Sequence, residues 1–168
     1  GLLGGVDGWN FIDWVPTWQA GMPKDASGGV SSVVMLQFAV ALRKAAQLEI
    51  WMNEPELAGR NLRTLELLLK RINESFWDEE RGLYANDLER TEFSEHAQCL
   101  ALLVDGVPSF RRERVVEGLL NDPNLDRTTI YFSHYLFEVF SGLGETQRIL
   151  DRMPLWFDHV KNGLHTTI

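Results

Sequence analysis

The chain has 168 residues, with 16 Lys and Arg against 24 Asp and Glu, and therefore a formal net charge of −8. Its content of 45% hydrophobic and 24% charged residues is typical of a folded globular domain, and the acidic balance argues against a general nucleic-acid or anionic-membrane binder. The single cysteine excludes an intrachain disulfide framework and a thiolate-rich zinc site, and no apolar run approaches the roughly 20 residues of a membrane span.

Taken in chain order, the sequence predicts an irregular segment over residues 1–30 and then helices of two alternating kinds. The first kind is apolar on almost every side, which is typical of a helix buried all round. The second kind has one apolar stripe and one charged face, which is typical of a helix with one side in water. Pro55 suits the first turn of the second helix, and Pro154 is expected to kink or divide the last one. The predicted pairs, with the apolar helix first, are 31–51 with 55–76, 94–104 with 110–120, and 131–140 with 145–160.

The connections between these helices alternate in length. Short connections lie within each pair, and they predict antiparallel αα-hairpins. Long connections follow each pair, so every long loop is expected at one end of the domain, at the N-termini of the apolar helices. We name this end the long-loop rim. The sequence therefore predicts an all-α fold in which three αα-hairpins form about half of a twelve-helix (α/α)6 toroid, and a six-helix bundle is the alternative.

Aromatic and acidic side chains are concentrated in the rim segments. Trp9, Trp14, Trp18 and Trp77 all fall outside the predicted helices, and Tyr84 follows shortly after Trp77. Flat apolar rings beside carboxylates suit a sugar, whose C–H faces stack on rings and whose hydroxyls donate hydrogen bonds. We therefore expect an acidic, aromatic funnel that binds carbohydrate, and the alternative for each Trp is packing beneath the loops. The acidic residues of these segments are Asp7, Asp13, Asp25, Asp78, Asp87 and Glu95.

Two short stretches are the sharpest candidates. Asp13 and Trp14 precede the first apolar helix, where the carboxylate can project into a cavity walled by the ring; a structural turn Asp is the alternative. Ser94 suits an N-cap, Glu95 suits the positive end of the helix dipole or a functional role, and His96 is expected as a neutral, hydrogen-bonding imidazole. The acidic pairs at 79–80 and at 122 and 126 are expected to be solvated. No phosphate-binding loop, metal-ligand spacing or nucleophile elbow occurs, so we predict no metal and no cofactor.

Two stretches of the sequence resemble one known family, and two more resemble sugar-processing α/α toroids in general. Residues 7–16, Asp-Gly-Trp-Asn-Phe-Ile-Asp-Trp-Val-Pro, resemble the W-x-D-W-x-P segment of the bacterial α-L-rhamnosidases of glycoside hydrolase family 78. Residues 163–168, Gly-Leu-His-Thr-Thr-Ile, resemble the G-x-T-T-x-x-E stretch of the same enzymes. Residues 77–84 and 94–98 resemble loops shared by several sugar-processing α/α toroids. The resemblance covers nearly the whole chain.

The resemblance implies an (α/α)6 catalytic domain that hydrolyses terminal α-L-rhamnosides with inversion, which needs two carboxyl groups ~6.5–9.5 Å apart. It places the general acid and general base Glu outside this chain, so residues 1–168 are expected to be an inactive part of a larger multidomain protein. The rest of the toroid and a rhamnoside are the expected partners, and the compartment is not indicated. The alternatives are a toroid epimerase or lyase, or a non-catalytic sugar-binding helical module. The substrate-binding residues that the topology and the resemblance suggest are Asp13, Trp14, Trp9, Trp18, Trp77, Tyr84, Glu95 and His96.

Overall fold

The computed structural model describes residues 2, 4 and 8–164, so Asp7 and the motif residues 165–168 lie outside the described residues. This part of the chain forms seven helices and one two-stranded sheet. None of these helices is long and apolar enough to cross a membrane. The elements are α1 (Ser32–Trp51), α2 (Pro55–Ser75), β1 (Trp77–Asp78), β2 (Leu83–Tyr84), α3 (Glu95–Leu103), α4 (Ser109–Asn121), α5 (Ser133–Leu143), α6 (Thr146–Arg152) and α7 (Pro154–Lys161).

The helices begin and end close to the predicted positions, and local chemistry explains why. Pro55 occupies the first turn of α2, where its missing N–H costs no hydrogen bond. The Ser94 side chain caps α3 by accepting a hydrogen bond from the backbone N–H of Ala97 at 3.4 Å. Gly144 follows α5 in the left-handed conformation, with φ of 78°. Pro154 divides the last predicted helix into α6 and α7, as expected.

The helices pack as three αα-hairpins, α1 with α2, α3 with α4, and α5 with α6. In addition, α1 packs against α3 and α3 packs against α5, so the first helix of each hairpin belongs to one inner layer. One continuous core of buried apolar side chains extends from Ile12 to Phe140. The prediction of an all-α fold with hairpins arranged as in part of an (α/α)6 toroid is therefore confirmed.

The long loops meet at the N-termini of α1, α3 and α5 and are hydrogen-bonded to one another. The backbone N–H of Ser32 donates to the carbonyl of Asn86 at 2.9 Å, and the Ser32 hydroxyl donates to the carbonyl of Ala85 at 2.6 Å. The backbone N–H of Glu95 donates to the carbonyl of Asp126 at 2.9 Å. The three rim segments are therefore held together by hydrogen bonds to one another and to the first residues of α1 and α3. They comprise residues 8–31, 76–94 and 122–132.

The prediction that α1 is buried on every side is wrong. Leu36 and Ala39 are fully buried, whereas Phe38 is 40% exposed and Leu48 is 55% exposed. Five residues recur at spacings of four and three and form one apolar stripe along the helix: Val34, Phe38, Ala41, Ala45 and Leu48. We name this stripe the α1 seam. α2 and α3 cover the other faces of α1, and the seam faces solvent.

Two further differences from the prediction lie in the rim. α5 begins at Ser133 and not at 131, so Tyr131 lies in the loop and is 62% exposed. The predicted loop 77–93 contains the β1–β2 hairpin, in which Trp77 pairs with Tyr84. Its turn uses Gly82 at φ of 70°, where a Cβ atom would collide with the guanidinium of Arg114. Strands of two residues are too short to show the alternation that predicts a strand.

Candidate functional site

A buried carboxylate stands at the centre of the rim. Asp13 Oδ1 accepts hydrogen bonds from the backbone N–H of Trp14 at 3.0 Å and from the hydroxyl of Thr129. Asp13 Oδ2 accepts the backbone N–H of Thr129 at 2.7 Å and lies 2.8 Å from Nε2 of His96. We name this arrangement the Asp13 node. It joins the segment before α1 to the first turn of α3 and to the loop before α5.

The hydrogen bonds at the node decide the charge of the carboxyl group. Burial on its own raises the pKa of Asp13, but the hydrogen bonds from His96 and Thr129 outweigh burial and hold the pKa below its ordinary value of 3.8. The carboxylate is therefore ionised at neutral pH, and the His96 Nε2 that faces it donates. Each oxygen already accepts two hydrogen bonds. Asp13 therefore anchors its neighbours, and it does not point a free oxygen into a cavity.

His96 and Trp18 form the floor of the node. The His96 ring is completely buried between the rings of Trp18 and Phe132, with centroid distances of 4.6 and 4.4 Å. Its second nitrogen, Nδ1, is buried without a hydrogen-bond partner among the described residues. The indole N–H of Trp18 donates to Oδ2 of Asp126 at 2.9 Å. Two predicted site residues are thus brought together with Asp13, in supporting positions beneath the surface.

Above the node lies a cluster of four rings, three of them exposed and that of Phe11 half-buried, which we name the aromatic cluster: Trp9, Phe11, Trp14 and Tyr131. The ring centroids of Phe11 lie 4.8 Å from Trp14 and 5.5 Å from Tyr131, and Trp9 lies 6.1 Å from Trp14. Trp9, Trp14 and Tyr131 are 62%, 56% and 62% exposed. The indole N–H of Trp9 donates to the carbonyl of Ala20 at 2.9 Å, which fixes that ring. The cluster therefore presents flat apolar faces to solvent.

A groove of about 480 Å³ opens beside Trp14, and we name it the rim groove. Apolar side chains form most of its surface, while Arg127 and His159 contribute N–H groups. Arg127 is exposed and makes no ion pair or hydrogen bond with the described part of the chain. An aromatic wall, an apolar floor and a few polar groups are the usual surroundings of a small ligand. The other lining residues are Pro16, Thr128, Thr129, Ile130 and Leu155.

Glu95 lies next to this groove but faces away from it. Its carboxylate is buried, and Oε2 accepts the backbone N–H of Thr128 at 2.8 Å. Its Oε1 pairs with the guanidinium of Arg152 in α6. Together with Arg148 it borders a separate polar cleft of about 230 Å³. Glu95 therefore links α6 to the rim through its contacts with Arg152 and Thr128.

Trp77 and Tyr84 are not brought together with the aromatic cluster. They lie in the β1–β2 hairpin, which packs against α2 and α4. Trp77 is 5% exposed, because the guanidinium of Arg111 lies 4.3 Å above its ring, and its indole N–H donates to Oε2 of Glu79 at 2.6 Å. The Tyr84 hydroxyl donates to Oδ1 of Asn73, and burial raises its pKa to about 12. Both side chains stabilise the hairpin.

Three of the six carboxylates predicted to line an acidic funnel, Asp13, Asp87 and Glu95, are instead buried and hydrogen-bonded. Glu79 is exposed, as expected, and pairs with the guanidinium of Arg114 at the surface. The expectation of a solvated charge is wrong for Asp126, which is half-buried and accepts the indole N–H of Trp18. Irregular loops leave backbone N–H groups without helical partners, and nearby carboxylates satisfy them. No group of three His, Cys, Asp or Glu among the described residues is arranged to hold a metal ion.

Three residues of the rim and its support are not predictable as site residues from the motifs: Gln98, Thr129 and Tyr131. Gln98 is fully buried, accepts the backbone N–H of Tyr84 at 2.9 Å and donates to its carbonyl at 2.7 Å. A polar residue in an apolar helix must have a partner, so Gln98 did carry a signal. Tyr131 was assigned to a buried helix. Thr129 carried no signal, because it lies 116 residues from Asp13 in sequence.

No protein-family profile and no curated protein matches the sequence. The fold is similar to part of a GH78 family rhamnosidase of Bacillus sp. GL1, with a TM-score of 0.84 and 22% identity, over 98% of this chain and 17% of that one. It is also similar to a rhamnosidase from Klebsiella oxytoca with rhamnose bound, with a TM-score of 0.75 and 23% identity, over 97% of this chain and 30% of that one. The predicted fold is thereby confirmed, and the chain spans less than a third of either protein.

Proposed function

We propose that the chain is part of a glycoside hydrolase and that its rim groove binds the terminal sugar of a rhamnoside. The observation that carries this proposal is the exposed aromatic cluster beside the rim groove, held in place by the Asp13 node. Two structures with this fold are rhamnosidases, and one of them contains rhamnose. That similarity supports the choice of sugar.

The chemistry of the groove suits a deoxy sugar. Rhamnose carries a methyl group and an apolar ring face, which fit against the Trp14 ring and the side chains of Ile130 and Leu155. Its hydroxyl groups accept hydrogen bonds from the unpaired guanidinium of Arg127 and from His159. Asp13 contributes indirectly, by fixing the backbone of Trp14.

The hydrolytic carboxyl groups belong, in this proposal, to the remainder of the whole protein. A general acid needs a raised pKa so that it still carries its proton at neutral pH. The pKa of Asp13 is lowered instead, and both oxygens of Glu95 are already engaged by Thr128 and Arg152. The segment by itself therefore binds sugar without hydrolysing it. Because neither Asp13 nor Glu95 is free to act as a catalytic carboxyl group, the second candidate is a sugar-binding module in a protein that does not hydrolyse glycosides at all.

Binding is tested by titrating the chain with p-nitrophenyl α-L-rhamnoside in a calorimeter. Trp14→Ala is expected to weaken binding by roughly two- to tenfold, the usual worth of one aromatic contact. Trp51→Ala, which removes an 81% exposed ring at the far end of α1, is expected to leave the affinity unchanged. Equal affinities of the Trp14 variant and the unmodified chain would exclude the rim groove as the site.

Hydrolysis is tested by following p-nitrophenol release by the chain and by the full-length protein that contains it. We expect release by the full-length protein and none by the chain. Turnover by the chain would contradict the assignment of the catalytic carboxyl groups. Binding without turnover in both would select the sugar-binding module.

A further inference from the structure

A second groove of about 530 Å³ lies away from the aromatic cluster, between the last turns of α2 and the first turn of α4. We name it the basic groove. Lys70, Arg90 and Arg111 approach it from α2, from the loop after β2 and from α4. Phe110 forms one edge of the groove and is 78% exposed. Three cations from three separate segments thus border one cavity.

Two of the three cations, Lys70 and Arg90, have no carboxylate partner within the described part of the chain, whereas Arg111 also interacts with the Glu79 carboxylate outside the groove. Lys70 has no ion-pair partner there, and Arg90 reaches a single neutral acceptor, the carbonyl of Ser75, at 3.3 Å. The one carboxylate at the groove, that of Glu74, pairs with Arg71 outside it at 3.1 Å. The groove is therefore positively charged, although the net charge of the chain is −8. Like charges around one cavity repel, and a bound anion removes that cost.

Arg111 is already fixed in a position to bind. Its guanidinium lies 4.3 Å above the ring of Trp77 and 5.3 Å from the ring centroid of Phe110. One of its terminal nitrogens donates to the carbonyl of Asn73 at 3.2 Å, while its Nε is buried without a partner. A guanidinium held in this way loses little conformational entropy when a carboxylate pairs with it.

We propose that the basic groove binds the carboxylate groups of an acidic oligosaccharide, with a sugar ring against Phe110. The three cations account for the carboxylates, and the exposed ring accounts for a flat C–H face. The choice of a sugar as the carrier of the carboxylates rests on the proposed function, whereas the preference for an anion rests on the charges. The site is separate from the rim groove, because the two grooves share no lining residue among the described residues.

The probe is a fluorescently labelled tetragalacturonate, and its binding to the chain is followed by anisotropy at low salt. The double variant Lys70→Gln with Arg90→Gln is expected to weaken binding about tenfold, which corresponds to roughly 0.7 kcal/mol for each exposed cation. Phe110→Ala is expected to weaken it by roughly two- to tenfold. Arg112→Gln is the matched control, because Arg112 follows the groove residues in α4 without lining the groove.

Further comparisons show whether the basic groove is the binding site and whether it selects an acidic sugar. A neutral maltotetraose is expected not to bind, and raising the salt concentration is expected to weaken tetragalacturonate binding. Equal binding by the double variant and by Arg112→Gln would overturn the proposal, and so would equal competition by a poly-glutamate peptide, which would make the groove a general anion site. Trp14→Ala is expected to leave tetragalacturonate binding intact. Its loss in that variant would place the probe in the rim groove, whereas failure of the rhamnoside titration alone would refute the proposed function without touching the basic groove.

Discussion

Replacing Asp13 by Asn keeps the shape of the buried side chain and removes its charge and half of its acceptor capacity. Each carboxylate oxygen accepts one backbone N–H, from Trp14 at Oδ1 and from Thr129 at Oδ2. The amide nitrogen of Asn must replace one of these oxygens. The Thr129 hydroxyl can rotate and His96 can change its tautomer, but a backbone N–H can do neither. One buried N–H therefore loses its acceptor in either orientation of the amide.

The expected cost follows from these contacts. An orphaned buried donor costs about 1–3 kcal/mol, and the charge-assisted character of the remaining hydrogen bonds is lost as well. We expect Asp13→Asn to lower the free energy of unfolding by about 2–4 kcal/mol. With a urea m-value of about 2 kcal/mol per M, the unfolding midpoint falls by about 1–2 M.

The measurement is urea unfolding at neutral pH, followed by circular dichroism. Asp158→Asn is the control, because that carboxylate is 64% exposed and pairs with Lys161 at the surface. Its free energy of unfolding is expected to stay within about 0.5 kcal/mol of that of the unmodified chain. A loss below about 0.5 kcal/mol for Asp13→Asn would refute the argument that this carboxylate holds the rim together.

The stability that Asp13 contributes is expected to depend on pH. The pKa of Asp13 is lower in the folded chain than its ordinary value of 3.8, so the folded state favours the ionised form. Its stabilising contribution is therefore complete above pH 3.8 and is lost as the pH falls through the lower folded pKa. The difference in midpoint between the unmodified chain and Asp13→Asn is expected to shrink below that pH. A constant difference down to the acid transition would contradict the lowered pKa.

Three further predictions concern support of the rim and the α1 seam. Arg152→Met leaves the buried carboxylate of Glu95 unpaired and is expected to cost about 3–5 kcal/mol in urea unfolding. Tyr84→Phe removes a hydrogen bond to Asn73 at a cost of about 1 kcal/mol. Since the Tyr84 pKa rises from 10.0 to about 12, the variant is also expected to lack the stability loss that the unmodified chain shows as the pH rises between those values. Because the α1 seam is an exposed apolar stripe, we expect the unmodified chain to self-associate in concentrated solution, and Phe38→Glu, which introduces a charge on the seam, to reduce that association in size-exclusion chromatography; identical elution of the two proteins would contradict this.

The helices were predictable because their signals are local, as with Pro55 at the start of α2. The exposure of the α1 seam could not be predicted. An apolar composition shows that a helix face tends to be buried, but it does not show whether another element is present to cover that face. Asp13 and His96 were each identified as candidates, but their contact joins positions 83 residues apart, and nothing in either neighbourhood encodes it. Trp14 and Trp77 both fall outside the predicted helices, yet Trp14 is 56% exposed and Trp77 is 5% exposed. The guanidinium of Arg111 packs over the ring of Trp77, and this contact could not be predicted from the sequence around Trp77.

The Asp13 node also has a kinetic consequence. Asp13 and Thr129 lie 116 residues apart, so their hydrogen bonds form after the intervening hairpins have come together. Closing so long a loop costs chain entropy before any contact repays it. The node is therefore expected to be largely unformed in the folding transition state, and its loss would accelerate unfolding while barely slowing folding. A single buried carboxylate would then govern how long the assembled rim survives, more than how quickly it is made.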